Sequence, residues 1–65
     1  MKVTYFKQTD TLYVELRGGD IHETREIDEN TSVDVGESGR MCAITIEHAS
    51  ERADVTAICY EEVAA

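Results

Sequence analysis

Leu12, Val14 and Leu16 are apolar, and Tyr13, Glu15 and Arg17 alternate with them. A period of two is the mark of a strand with one buried and one wet face. The same alternation returns at residues 32–35. It returns again at residues 40–47, where Cys42, Ile44 and Ile46 share one face and Met41, Ala43 and Thr45 the other. A further strand begins at Val3 to Phe6. The polar Lys7, Gln8, Thr9 and Asp10 read as a hairpin connection.

Breaks between these runs are equally legible. Gly18, Gly19 and Asp20 end one strand, because paired glycines release the backbone into turns. Asp28, Glu29 and Asn30 form a turn, and residues 36–39 form a hairpin loop with a glycine at each end. The segment from Ile21 to Ile27 is mostly polar and suits an edge strand whose charges oppose aggregation. The tail admits two readings. Residues 55–60 suit a strand by propensity. Val55, Ile58, Cys59 and Val63 also fall on one helical face, with Ser50 or Asp54 as cap. The alanines and glutamates of the tail favour the helix.

The sequence therefore predicts an α+β domain spanning residues 1–65. An antiparallel meander of four or five strands occupies 1–48, and a C-terminal segment at 50–65 is helical. The expected buried face carries Val3, Tyr5, Leu12, Val14, Leu16, Val33, Val35, Cys42, Ile44 and Ile46. The helix would cover it, and a second chain would cover the remainder.

Several of these segments match a known pattern. Val3, Thr4 and Tyr5, then Leu12, Tyr13, Val14, Glu15 and Leu16, resemble the opening of a small prokaryotic family classed as domain of unknown function 2283. Thr24, Arg25, Glu26 and Ile27 follow, then Val33, Asp34 and Val35. Gly39 and Arg40 lead into Ile44, Ile46, Ala49 and Ser50. The resemblance covers roughly residues 1 to 52. It implies a compact, mainly antiparallel fold and, in some members, genomic company with small basic toxin-like proteins. It carries over no site residues.

Size and charge narrow the function classes. At 65 residues the core is marginal, and small domains are commonly completed by disulfides, metals or oligomers. Two cysteines allow at most one bridge, and zinc spacing is absent. Self-association is the expected remedy. Cys42 and Cys59 would meet only if a helix packed on the sheet, and a reducing compartment makes them small hydrophobes instead.

The formal net charge is −8. Nucleic acid and anionic membranes are excluded as partners, because phosphate contacts need a basic face. No membrane helix or signal peptide is legible, and the expected location is cytoplasmic. Solubility alone can account for the acidity, and a basic protein would also be attracted.

No catalytic motif or cofactor signature is present, so the chain reads as non-enzymatic. Tyr13, Arg17 and Met41 are the candidate interface residues, since tyrosine and arginine are enriched at binding hot spots. Asp28, Glu29, Asp34 and Glu37 are candidates for holding a basic partner. The leading reading is a protein–protein interaction module that forms a homo-oligomer. Its sharpest version is an antitoxin-like inhibitor of a small basic ribonuclease. The alternative is a small-ligand or metal-binding module at an oligomer interface, using His22, His48 and Glu26. Within one strand, His22 and Glu26 are about 13 Å apart and cannot share an ion.

Overall fold

The computed structural model describes residues 1–64. Among them five strands form one antiparallel sheet: β1 (Lys2–Phe6), β2 (Thr11–Glu15), β3 (Glu23–Asp28), β4 (Thr31–Val35) and β5 (Met41–Glu47). The spatial order is β1-β2-β5-β4-β3. The sheet is thus not the simple meander expected from chain order. The glycine-bearing link after β2 carries the chain to the far edge, and β5 returns to the centre.

The order suits the composition of its central and edge strands. β5 holds Cys42, Ala43, Ile44 and Ile46, and a central strand has both of its edges paired. β3 is exposed along its whole length and lies at an edge, as its charges predict. Its register with β4 shifts between Glu26 and Asp28.

Cross-strand register fixes the two faces. Val3, Val14, Ile44 and Val33 stand in one row, and Tyr5, Leu12, Ile46 and Thr31 in the next. Residues directly opposite share a face, so these side chains form one apolar surface. The other face carries the rows Lys2, Glu15, Ala43, Asp34, Thr24 and Thr4, Tyr13, Thr45, Ser32, Glu26.

The C-terminal helix is absent, and the α+β assignment gives way to an all-β sheet. Among the described residues the only helical element is a single 3₁₀ turn, Ala49–Glu51. Beyond it the described residues bend and turn without regular structure. Two local causes are visible. The Asp54 carboxylate accepts the Thr56 N–H at 3.1 Å and its hydroxyl at 2.6 Å, a turn that competes with helical bonding. Val55, Thr56 and Ile58 are β-branched, and so short a segment is marginal as a helix without a packed face.

The described tail therefore supplies no helix to cover the sheet. Val33, Val35 and Cys42 are buried, but Leu12, Val14, Leu16, Ile44 and Ile46 are only half-buried, and Val3 is exposed. Ala43, expected on the wet face, is 1% exposed. Its small side chain lies between Glu15 and Asp34 at the sheet centre.

Candidate functional site

The fold presents an open apolar face. Its rows run from Val3 and Tyr5 at the β1 edge to Val33 and Thr31 on β4. On the β3 side, Glu23 and Arg25 stand opposite Val35 and Val33 and border the apolar surface with charge. The Arg25 guanidinium donates to the Glu23 carboxylate at 3.0 Å and holds it below the usual carboxylate range.

The accessible surface is 5321 Å². A compact monomer of this mass exposes about 4,200 Å², so the excess is about 1,100 Å². A standard interface takes about 800 Å² from each partner.

Opposite lies an acidic face. Glu15, Asp34, Glu26 and Glu47 share it, with Lys2 at its border. Asp34 accepts the Thr24 hydroxyl at 2.7 Å. Of the expected acidic group, only Asp34 lies within this face. Asp28 and Glu29 sit at the β3–β4 turn, and Glu37 lies in the β4–β5 loop at the other end. Asp28 is held below the ordinary aspartate range, first by the Asn30 N–H at 2.9 Å and then by Thr31 and Arg52. Glu15, Glu26 and Glu47 complete the face. Strand alternation alone would have placed Glu15 and Glu47 there, and the register with Ser32 places Glu26.

The candidate interface residues are also spread out. Tyr13 is half-buried in the middle of the acidic face, between Thr4 and Thr45. Arg17 follows β2 and Met41 opens β5, both exposed and at the same end of the sheet. Arg17 lies in an open cleft of about 440 Å³ with Arg40, Glu37 and Asp20. Among the described residues, the ion pairs are those of Arg25 with Glu23 and Arg52 with Asp28. Arg17 and Arg40 are not in either pair. The cleft balances its two cations with two carboxylates.

His22 and His48 are separated by the length of the sheet. The His22 N–H donates to Val35 O at 2.8 Å, at one end of β4. His48 Nδ1 lies 2.9 Å from Asn30 Oδ1, just before the other end. Five residues of strand between Asn30 and Val35 span about 16 Å. Among the described residues, no group of three or more His, Cys, Asp and Glu side chains is arranged to hold a metal. Both cysteines are free. Cys42 is buried in β5, whereas Cys59 is exposed in the tail, contrary to the expectation that both act as core hydrophobes.

At the turn end, Tyr5 donates to Asp10 Oδ1 at 2.6 Å. Ser50 donates its N–H to the same oxygen at 3.0 Å and its hydroxyl to Oδ2 at 2.7 Å. Ala49 N–H bonds Asp10 O at 2.9 Å. From there the chain heads across the sheet end, where Arg52 donates to Thr31 Oγ1 at 2.6 Å and pairs with Asp28 at 3.4 Å. No helix among the described residues is long and apolar enough to cross a membrane.

This is an all-β module of one sheet, apolar on one side and acidic on the other. A family model described as a protein of unknown function, DUF2283, matches residues 2–50. The chain belongs to that family. The match ends within the 3₁₀ turn, so the tail lies outside it. No curated protein and no solved structure matches the chain.

Proposed function

We infer that the protein is a non-enzymatic interaction module that pairs with itself through its open apolar face. The observation that carries this reading is the two half-buried rows that hold Leu12, Val14, Ile44 and Ile46, with no second layer of strand or helix among the described residues. Two stacked sheets about 10 Å apart would give each copy the second layer that a β domain needs. Apart from the Glu23–Arg25 pair at the β3 border, the carboxylates described above lie on the opposite face or at the ends, so the charge buried on pairing would be confined to that border.

Pairing leaves the acidic face outward. Its complement is a basic protein, and the sharpest form of this reading is an antitoxin-like inhibitor of a small basic ribonuclease. Carboxylates would then occupy the ground of RNA phosphates. A cytoplasmic location suits the two free thiols.

Sedimentation equilibrium at micromolar concentration tests the pairing, with a dimer expected and a monomer overturning it. The basic-partner form predicts a complex whose affinity falls steeply between low and physiological salt. A salt-insensitive complex would count against it.

A further inference from the structure

We propose that the tail at residues 56–61 adds as an antiparallel strand to the free β1 edge of a second copy. The proposal rests on the self-pairing reading above and names what that pairing exchanges.

The tail is a strand sequence without a sheet. Val55, Thr56, Ile58 and Tyr60 favour extended structure. Ile58, Tyr60 and Val63 are 63%, 84% and 69% exposed. Residues 58–64 make no backbone hydrogen bond to any other described residue. Unpaired backbone and exposed β-formers in one segment are what strand addition satisfies.

The two sheet edges are unequal receptors. β3 carries Glu23, Arg25, Glu26 and Asp28 and an irregular register. β1 pairs with β2 in unbroken register and bears no proline or bulge. The only two lysines are Lys2, which opens β1, and Lys7, which follows it, while Glu61 and Glu62 stand together at the C-terminal end of the tail segment.

An antiparallel register that sets Glu61 against Lys2 matches over residues 58–61, with Ala57 against Phe6 and Thr56 against Lys7 beyond. Tyr60 then faces Val3 and Ile58 faces Tyr5, which extends the apolar face. Cys59 faces Thr4 on the other side. Opposite charges and apolar pairs across strands both favour such a register.

Symmetry supplies the reach. A twofold axis parallel to the strands, between two stacked sheets, places the partner's β1 above this chain's β3. The turn ends of both copies then lie together. The 3₁₀ turn already carries the chain from Asp10 toward Thr31 and Asp28, away from its own β1. Four residues from Arg52 to Thr56 span at most about 14 Å, enough to cross a gap of about 10 Å between sheets.

The test uses the full chain carrying Thr4→Cys, oxidised mildly and mapped by mass spectrometry. The expected product is a covalent dimer joining the introduced thiol to Cys59 of the other copy. It should form at least tenfold faster than with Phe6→Cys. A bond within one chain, or no bond in a chain that still sediments as a dimer, overturns the exchange and leaves the face pairing standing. A chain that sediments as a monomer overturns both.

A second pair of variants needs no new thiol. Lys2→Glu should weaken the dimer at least tenfold, and Lys2→Glu with Glu61→Lys should restore it. Equal losses in the single and double variants would overturn the register.

Discussion

The Tyr5 hydroxyl and the Asp10 carboxylate are 2.6 Å apart, and through Asp10 the β1–β2 turn holds Ser50, forty positions away in the chain. Asp10 has φ 53, a conformation that aspartate and asparagine tolerate better than most residues. Asp10→Asn therefore keeps the backbone and removes the charge. It should lower the urea midpoint, and Tyr5→Phe should lower it less, because Ser50 still bonds the carboxylate. An unchanged midpoint in Asp10→Asn would mean that this clasp contributes nothing.

The same clasp sets an acid limit. Tyr5 first, then Ser50, holds the Asp10 carboxyl below the ordinary aspartate value. A carboxyl lowered by folding contributes stability that is present above its unfolded value of about 3.9 and lost as pH falls through the folded value. Urea midpoints measured from pH 6 downward should show a fall that Asp10→Asn reduces. At the alkaline end the Asp10 bond raises the Tyr5 hydroxyl above its ordinary value, so its share is lost only as pH rises through that raised value. Tyr5→Phe should remove that alkaline component.

Neighbouring residues on β5 separate the two faces. Ile44 belongs to the apolar row and Thr45 to the acidic one. Ile44→Glu should weaken self-pairing by about 2 kcal/mol or more, a loss of some thirtyfold or greater in affinity. Thr45→Glu should leave it nearly unchanged. Sedimentation of both variants checks this, and equal effects would show that pairing does not use the apolar face.

The β4–β5 loop offers a test by backbone conformation. Gly39 has φ 83 with open space around the position of a Cβ. Gly39→Ala should therefore cost about 1–2 kcal/mol from the left-handed conformation alone. At Gly36 the cause differs, because a Cβ there would stand 3.3 Å from Cys42 Sγ. Gly36→Ala combined with Cys42→Ala should be less damaging than the sum of the two single changes, measured by denaturant midpoints.

Alternation located the strands because the period-two rule acts locally, residue by residue. It also assigned Leu12, Ile44 and Val33 correctly to one face. Strand order was not legible in the same way, since it depends on which edges tolerate water. The polar run at Glu23–Asp28 pointed to an edge, but nothing in it named β5 as the strand that separates β2 from β4. The tail misled because alanine and glutamate count toward helix regardless of whether a packing surface exists. Asp54 and Thr56 closed a local turn instead. The acidic face was legible only in part. Asp34 is singled out with the acidic residues around the central turns; alternation sets Glu15 and Glu47 on the wet side of their strands, whereas Glu26 joins them only once register is fixed.

The charged, irregular β3 has a consequence for growth. A sheet with two receptive borders can accept copies without limit and lengthen into a fibre. Here one border offers regular backbone and the other presents Arg25 and its neighbouring carboxylates to water. In the proposed reciprocal exchange each tail would cover the β1 border of the other copy, and the new border is a short strand that ends in Glu61 and Glu62. The least hydrophobic strand of the sheet thereby decides which border the proposed exchange can use.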